Sequence, residues 1–143
     1  NMQKAQELSD KAISKEKTTY YVLLARSELL LAQKSRAAET CIHHALNISG
    51  NNLPIVYLEA GRILLRNGEY GSAISLLSDA VKQLPESALA WYELGCCQTA
   101  LGFSEAKQTL SHCLRLSPNW AEAKAALRDS EKRSIFSWFR RKH

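Results

Sequence analysis

Apolar residues recur every three to four positions along almost the whole chain, the spacing of an amphipathic helix. Over residues 55–66, Leu58, Gly61 and Leu65 share one helical face, and over 73–84 the set Ala73, Ile74, Leu77, Ala80, Val81 and Leu84 does the same. The interruptions are short and chemically legible. Asn67-Gly68 supplies a helix stop, Pro85 cannot continue the helix before it, and Pro54 suits a first helical turn. The pattern predicts helices at about 3–16, 19–33, 35–48, 54–67, 71–84, 87–101, 104–116 and 119–139. Connections of a few residues require consecutive helices to pack antiparallel as neighbours. No strand-like alternation and no Gly/Ser linker interrupts them.

The helices come in repeating pairs. Tyr57-Leu58-Glu59-Ala60-Gly61 leads to Gly68, Tyr70, Ala73, Leu77, Ala80 and Pro85. Trp91-Tyr92-Glu93-Leu94-Gly95 leads to Gly102, Phe103, Ala106, Leu110, Cys113 and Pro118. The step from Gly61 to Gly95 is one full period, and the step from Pro85 to Pro118 is one position shorter because the second turn lacks a residue. A fixed period of this size means stacked helical hairpins in place of a single globular core. Glycine at both crossings predicts close approach of two helices, with Ala73, Ala80 and Ala106 small for the same reason. Trp91, Tyr57 and Tyr70 are expected to fill the spaces between hairpins.

This pattern resembles the tetratricopeptide repeat, W-x2-L-G-x2-Y followed by A-x3-F, A and P, with a period of about 34 residues. The copy at Trp91 matches with Trp91, Leu94, Gly95, Ala106, Leu110 and Pro118, departing at Gln98 and Cys113. The copy at Tyr57 matches with Tyr57, Gly61, Gly68, Tyr70, Ala73, Ala80 and Pro85, departing at Ala60 and Leu64. A weaker copy keeps Val22, Ala25, Ala38, Ile42 and Ala45, with Arg26 read as standing at the glycine's place. The resemblance implies an all-α antiparallel helix-hairpin solenoid with a C-terminal capping helix. Its expected divisions are the trailing helix of a preceding repeat (1–17), repeats at 18–51, 52–86 and 87–118, and a capping helix with its tail (119–143).

In this family the first helix of each repeat lines a concave groove that takes a segment of another protein. Carried onto this chain, the groove is expected to comprise Tyr20, Leu23 and Ser27, then Ile55, Leu58, Glu59, Arg62 and Arg66, then Leu89, Tyr92, Glu93 and Cys96. That lining is largely apolar with a polar strip, which suits an apolar or amphipathic helix or another protein's face. Members that grip a chaperone's terminal carboxylate begin their clamp with Lys and Asn; Leu23 and Ser27 stand there instead, which disfavours such a tail. The implied role is a scaffold or adaptor, as part of a larger protein or complex, with self-association as a further possibility.

Charge alters the picture at one place. Lys and Arg total 19 against 14 Asp and Glu, giving a net charge of +5. The five excess cations are Lys132, Arg133, Arg140, Arg141 and Lys142, and no acid lies among residues 132–143. The body is therefore neutral, which excludes a basic face spread along the fold for nucleic acid. The tail is different. Phe136, Trp138 and Phe139 precede Arg140, Arg141 and Lys142, a combination open to three readings: a cap over the last repeat, contact with an anionic membrane surface, or contact with phosphates of nucleic acid.

Catalytic and metal chemistry find little support. Cys41 and His44 have i, i+3 spacing, but two ligands do not make a site, while His112 and Cys113 diverge on a helix. No nucleophile–base set or carboxylate pair is arranged for catalysis, so neither an enzyme nor a cofactor is expected. Four cysteines without a C-x-x-C pair read as reduced thiols in a cytosol-like compartment, with Cys97 and Cys113 serving as small core residues.

Overall fold

The computed structural model describes residues 3–5, 20–33, 37–49 and 54–142. Its helices are α1 (Tyr20–Ala32), α2 (Ala37–Ser49), α3 (Ile55–Arg66), α4 (Tyr70–Gln83), α5 (Ala88–Leu101), α6 (Ala106–Leu116) and α7 (Ala121–Lys142). Each lies within a few residues of its expected bounds. Of the helix expected over 3–16, residues 3–5 are helical and the rest lie outside the described residues.

The ends of these helices follow from local chemistry. Gly68 and Gly102 adopt φ of 78° and 76°, the left-handed conformation that spares only glycine a steric penalty. In both turns two amides recover the last carbonyls of the preceding helix: Gly68 N–H donates to Leu65 and Glu69 N–H to Leu64, then Gly102 N–H to Thr99 and Phe103 N–H to Gln98. This is one Schellman cap used twice. At the start of α5, the Ser87 hydroxyl accepts a hydrogen bond from the Ala90 amide at 3.2 Å.

The pairs α1/α2, α3/α4 and α5/α6 pack as hairpins; α4 then packs on α5 and α6 on α7. The first helices also touch in succession, α1 to α3, α3 to α5 and α5 to α7. Each second helix buries the same small–large–small set: Ala38, Ile42 and Ala45; Ala73, Leu77 and Ala80; Ala106, Leu110 and Cys113. In the second and third hairpins the large member faces the glycine of its partner helix. A Cβ added to Gly61 would sit 2.6 Å from Leu77 Cδ2, and one added to Gly95 would sit 2.5 Å from Leu110 Cδ2.

Two expectations need correcting. The burial pattern of α1 matches that of α3 displaced by one repeat: Leu24, Ser27 and Leu30 correspond to the buried Leu58, Gly61 and Leu64. Ser27 therefore stands at the glycine's place, not Arg26. It is small enough for the crossing, and its hydroxyl donates to the Leu24 carbonyl at 2.7 Å, so nothing polar is left unpaired. Tyr70 is not a filler between hairpins. It opens α4 with 37% of its surface exposed, and its carbonyl accepts a weak bond from the Cys97 thiol at 3.4 Å.

Candidate functional site: the face of the first helices

The face shared by α1, α3 and α5 is the concave side in a helix-hairpin solenoid. Leu23, Ser27 and Leu58, expected to line it, are only 2%, 0% and 1% exposed. They pack inside the stack and offer a ligand no surface. For Leu23 and Ser27 the cause is the one-residue shift in the register of the first repeat; Leu58 belongs to the buried core cluster. Ile55 and Leu89 are half-buried against the core. Tyr20 opens α1, and its side chain lies outside the described residues.

Beside the half-buried Ile55 and Leu89, the face carries a polar strip. Arg62 lies at the centre: its Nη1 is 3.2 Å from Glu59 Oε1 one turn away, and its Nε donates to Glu93 Oε1 on α5, also at 3.2 Å. Arg66, one turn further along α3, reaches the other way to Glu28 Oε1 on α1 at 3.8 Å. The strip of Glu59, Arg62, Arg66 and Glu93 read from the sequence is thus assembled, with Glu28 added. Glu93 is the least exposed member. Burial pushes its carboxyl above the ordinary carboxylate range, and the Arg62 guanidinium only partly opposes this.

The α5 end of this face is closed by α7. The Tyr92 ring lies against Trp120, with centroids 4.5 Å apart. Burial, with a smaller contribution from Cys96, pushes the Tyr92 phenol up to about 12. Burial likewise raises the Cys96 thiol to about 11, which leaves it a poor nucleophile at neutral pH. Beyond them, a recess of about 110 Å³ is lined by Cys96, Thr99, Ala100, Ala126, Asp129 and Arg133. The Arg133 guanidinium there is 3.5 Å from Asp129 and from the Thr99 carbonyl oxygen.

The sequence reading missed Glu28, Asp129 and Arg133, and the repeat itself was the signal that would have found them. Glu28 stands one full period before Arg62, and Cys96 one full period after it. One more step, shortened by the residue missing from the last turn, leads to Asp129.

The residues weighed for other chemistry have structural roles. The His112 ring packs on Trp91, centroids 4.3 Å apart, while the Trp91 indole N–H donates to the Pro85 carbonyl. Cys97 and Cys113 are fully buried, Cys113 donating weakly to the Ala88 carbonyl at 3.3 Å. None of the four cysteines is disulfide-bonded. Among the described residues, no three His, Cys, Asp or Glu side chains gather as metal ligands, and no helix is long and apolar enough to cross a membrane. Of the tail positions, Phe136, Trp138, Phe139, Arg140, Arg141 and Lys142 continue α7 as helix, and their side chains lie outside the described residues.

Antiparallel hairpins, a glycine opposite a buried leucine at two of the crossings, and one shared face of first helices define an all-α helix-hairpin solenoid. Residues 54–95, from the start of α3 to Gly95, match the tetratricopeptide repeat family. Over that stretch the chain is similar to the tetratricopeptide repeat, in general a protein–protein interaction fold and not a catalytic one. No curated protein was found to match the chain.

Proposed function

We propose that the chain is a scaffold or adaptor whose first-helix face receives a segment of another protein, centred on the Arg62 ion-pair strip. The observation that carries this reading is the strip itself. It joins three successive first helices through side chains that remain partly exposed, Arg66 at 56% and Glu28 at 53%. With Leu23, Ser27 and Leu58 withdrawn into the core, the fitting ligand is a polar segment bearing both signs of charge, in place of the apolar helix the sequence suggested. Such a ligand trades its own ion pairs for those of the strip and gains register more than raw affinity. The neutral body is consistent with this pattern and gives no long-range preference for either sign.

Arg66→Glu is the decisive substitution, because the Arg66–Glu28 pair is long and exposed and contributes little to folding. Proteins captured by the wild-type chain should be lost by this variant while thermal unfolding stays unchanged. Retention of every captured protein by the variant would overturn the assignment of this face.

A further inference from the structure

The repeat period brings the same positions of the first-helix face round in each hairpin, and their chemistry changes between α5 and α7. Glu59, Arg62 and Arg66 of α3 return on α5 as Glu93, Cys96 and Ala100, and on α7 as Ala126, Asp129 and Arg133. Between α3 and α5 the step is bridged by Arg62 and Glu93 at 3.2 Å. The same two positions between α5 and α7 hold Cys96 and Ala126, a neutral thiol and a methyl group, and no ion pair can form between them. The long side chains are missing together, and the recess of about 110 Å³ opens in their place. That volume is several times the roughly 10–15 Å³ that one water needs.

Arg133 stands where this loss is felt. Its counterpart on α3, Arg66, reaches back to Glu28 on α1. On α5 the position of Glu28 is held by Cys96, so Arg133 meets a thiol there in place of an acid. Its guanidinium instead touches Asp129 and the Thr99 carbonyl oxygen, both at 3.5 Å, long for bonds from a charged donor. Arg62 shows what a guanidinium on this face holds when a second carboxylate is in reach: it takes Glu59 from its own helix and Glu93 from the next, each at 3.2 Å. We propose that the recess is a subsite for an aspartate or glutamate side chain of the segment bound along the first-helix face. The incoming carboxylate takes the place for Arg133 that Glu28 fills for Arg66, and its methylenes lie on Ala100 and Ala126. The subsite presupposes the first-helix face as the binding surface, and adds to it one charge of fixed sign at the α7 end. A basic side chain aimed at Asp129 is the weaker fit, because Arg133 already neutralises that carboxylate while a guanidinium has several N–H donors to share.

The test presents the whole chain to an array of short peptides, amidated at the C-terminus and randomised over Asp, Lys, Leu and Ser. Peptides retained by the wild type are expected to share one position at which Asp exceeds Ser about fivefold, the upper range for an exposed charge pair. Arg133→Glu should convert that preference to Lys and leave the other positions as they were. This variant should keep the wild-type unfolding temperature, since both contacts of Arg133 are long and its side chain is 58% exposed. Cys96→Glu, which restores an acid at the repeat position of Glu28, should remove the preference by supplying the carboxylate from within; circular dichroism checks that it folds. An acidic preference that Arg133→Glu leaves unmoved overturns the subsite, as does a Lys preference of the wild type that Asp129→Asn removes. Arg66→Glu separates the subsite from the face on which it lies. Peptides insensitive to Arg66→Glu but switched by Arg133→Glu support the subsite and overturn the Arg62-centred strip; the converse overturns the subsite alone. No peptide retained by the wild type overturns both.

Discussion

At the scale of the residue, two glycines in this chain have opposite meanings. Gly95 faces Leu110, which is fully buried and has no free space to enter, so a methyl group there forces the helices apart. Gly95→Ala should lower stability by about 1–3 kcal/mol, the usual cost of overpacking. Gly71, in the first turn of α4, has nothing within 4 Å of an added Cβ. Gly71→Ala should raise stability by up to about 1 kcal/mol, because alanine is the better helix former. Urea unfolding of the two variants beside the wild type checks both signs. The distinction was partly legible beforehand, since Gly61 and Gly95 recur at the repeat period and Gly71 does not. Ser27 was not legible in that way. Its role rests on size alone, and a one-residue error in the register of a weak repeat moved it to another face.

Between elements, the Arg62 bridge sets burial against charge. Glu93 is sheltered enough that its carboxyl is raised despite the adjacent guanidinium. A carboxyl with a raised folded value contributes stability that is present below the ordinary carboxylate range and lost as pH rises through the raised value. Once Glu93 is ionised, its burial is therefore a cost that Arg62 offsets. Removing the cation and removing the charge it neutralises should differ. Arg62→Ala, which strands Glu93, should cost about 1–2 kcal/mol. Glu93→Gln should cost less than about 0.5 kcal/mol at pH 7, because the amide oxygen still accepts from Arg62. Thermal unfolding near neutral pH tests the pair, and equal losses would show that ion pairing and not burial dominates. Helix bounds and turns at this scale were readable because proline and glycine act locally. The apolar lining was not, because a helical stripe records which residues are apolar and not which neighbour covers them. Leu58 is drawn into the buried core cluster, and Tyr92 lies against Trp120.

At the scale of the whole molecule, the stacked core carries thiols, with Cys97 fully buried and Cys113 standing where the repeat prefers alanine. Burial raises Cys96 and Cys97 from 9.0 to about 11. Both are neutral acids in the fold, and the unfolded chain ionises them earlier. Their contribution is complete below pH 9.0 and disappears as pH rises toward 11. Unfolding temperature should accordingly fall through that window, and replacing both cysteines by alanine should flatten the decline; an unaltered slope would refute the assignment. The period, the pairing of helices and the neutral body were all present in the sequence, because a solenoid repeats its neighbour contacts along the chain. The role of the aromatic residues of 135–139 was not, since they suit a cap over the last repeat as well as a binding element.

The reach of Arg62 from α3 to Glu93 on α5 also has a mechanical meaning. A partly exposed link between successive first helices resists their separation and so acts as a brace. Loss of the brace leaves the buried crossings intact and makes the stack softer. The Arg62→Ala chain should then be longer on average in solution than the wild type, and added salt, by screening a partly exposed pair, should move the wild type toward it. Under the function proposed above, a face braced this way would adjust its width to its ligand, with Arg62 to Glu93 and Arg66 to Glu28 as the charged links that resist opening.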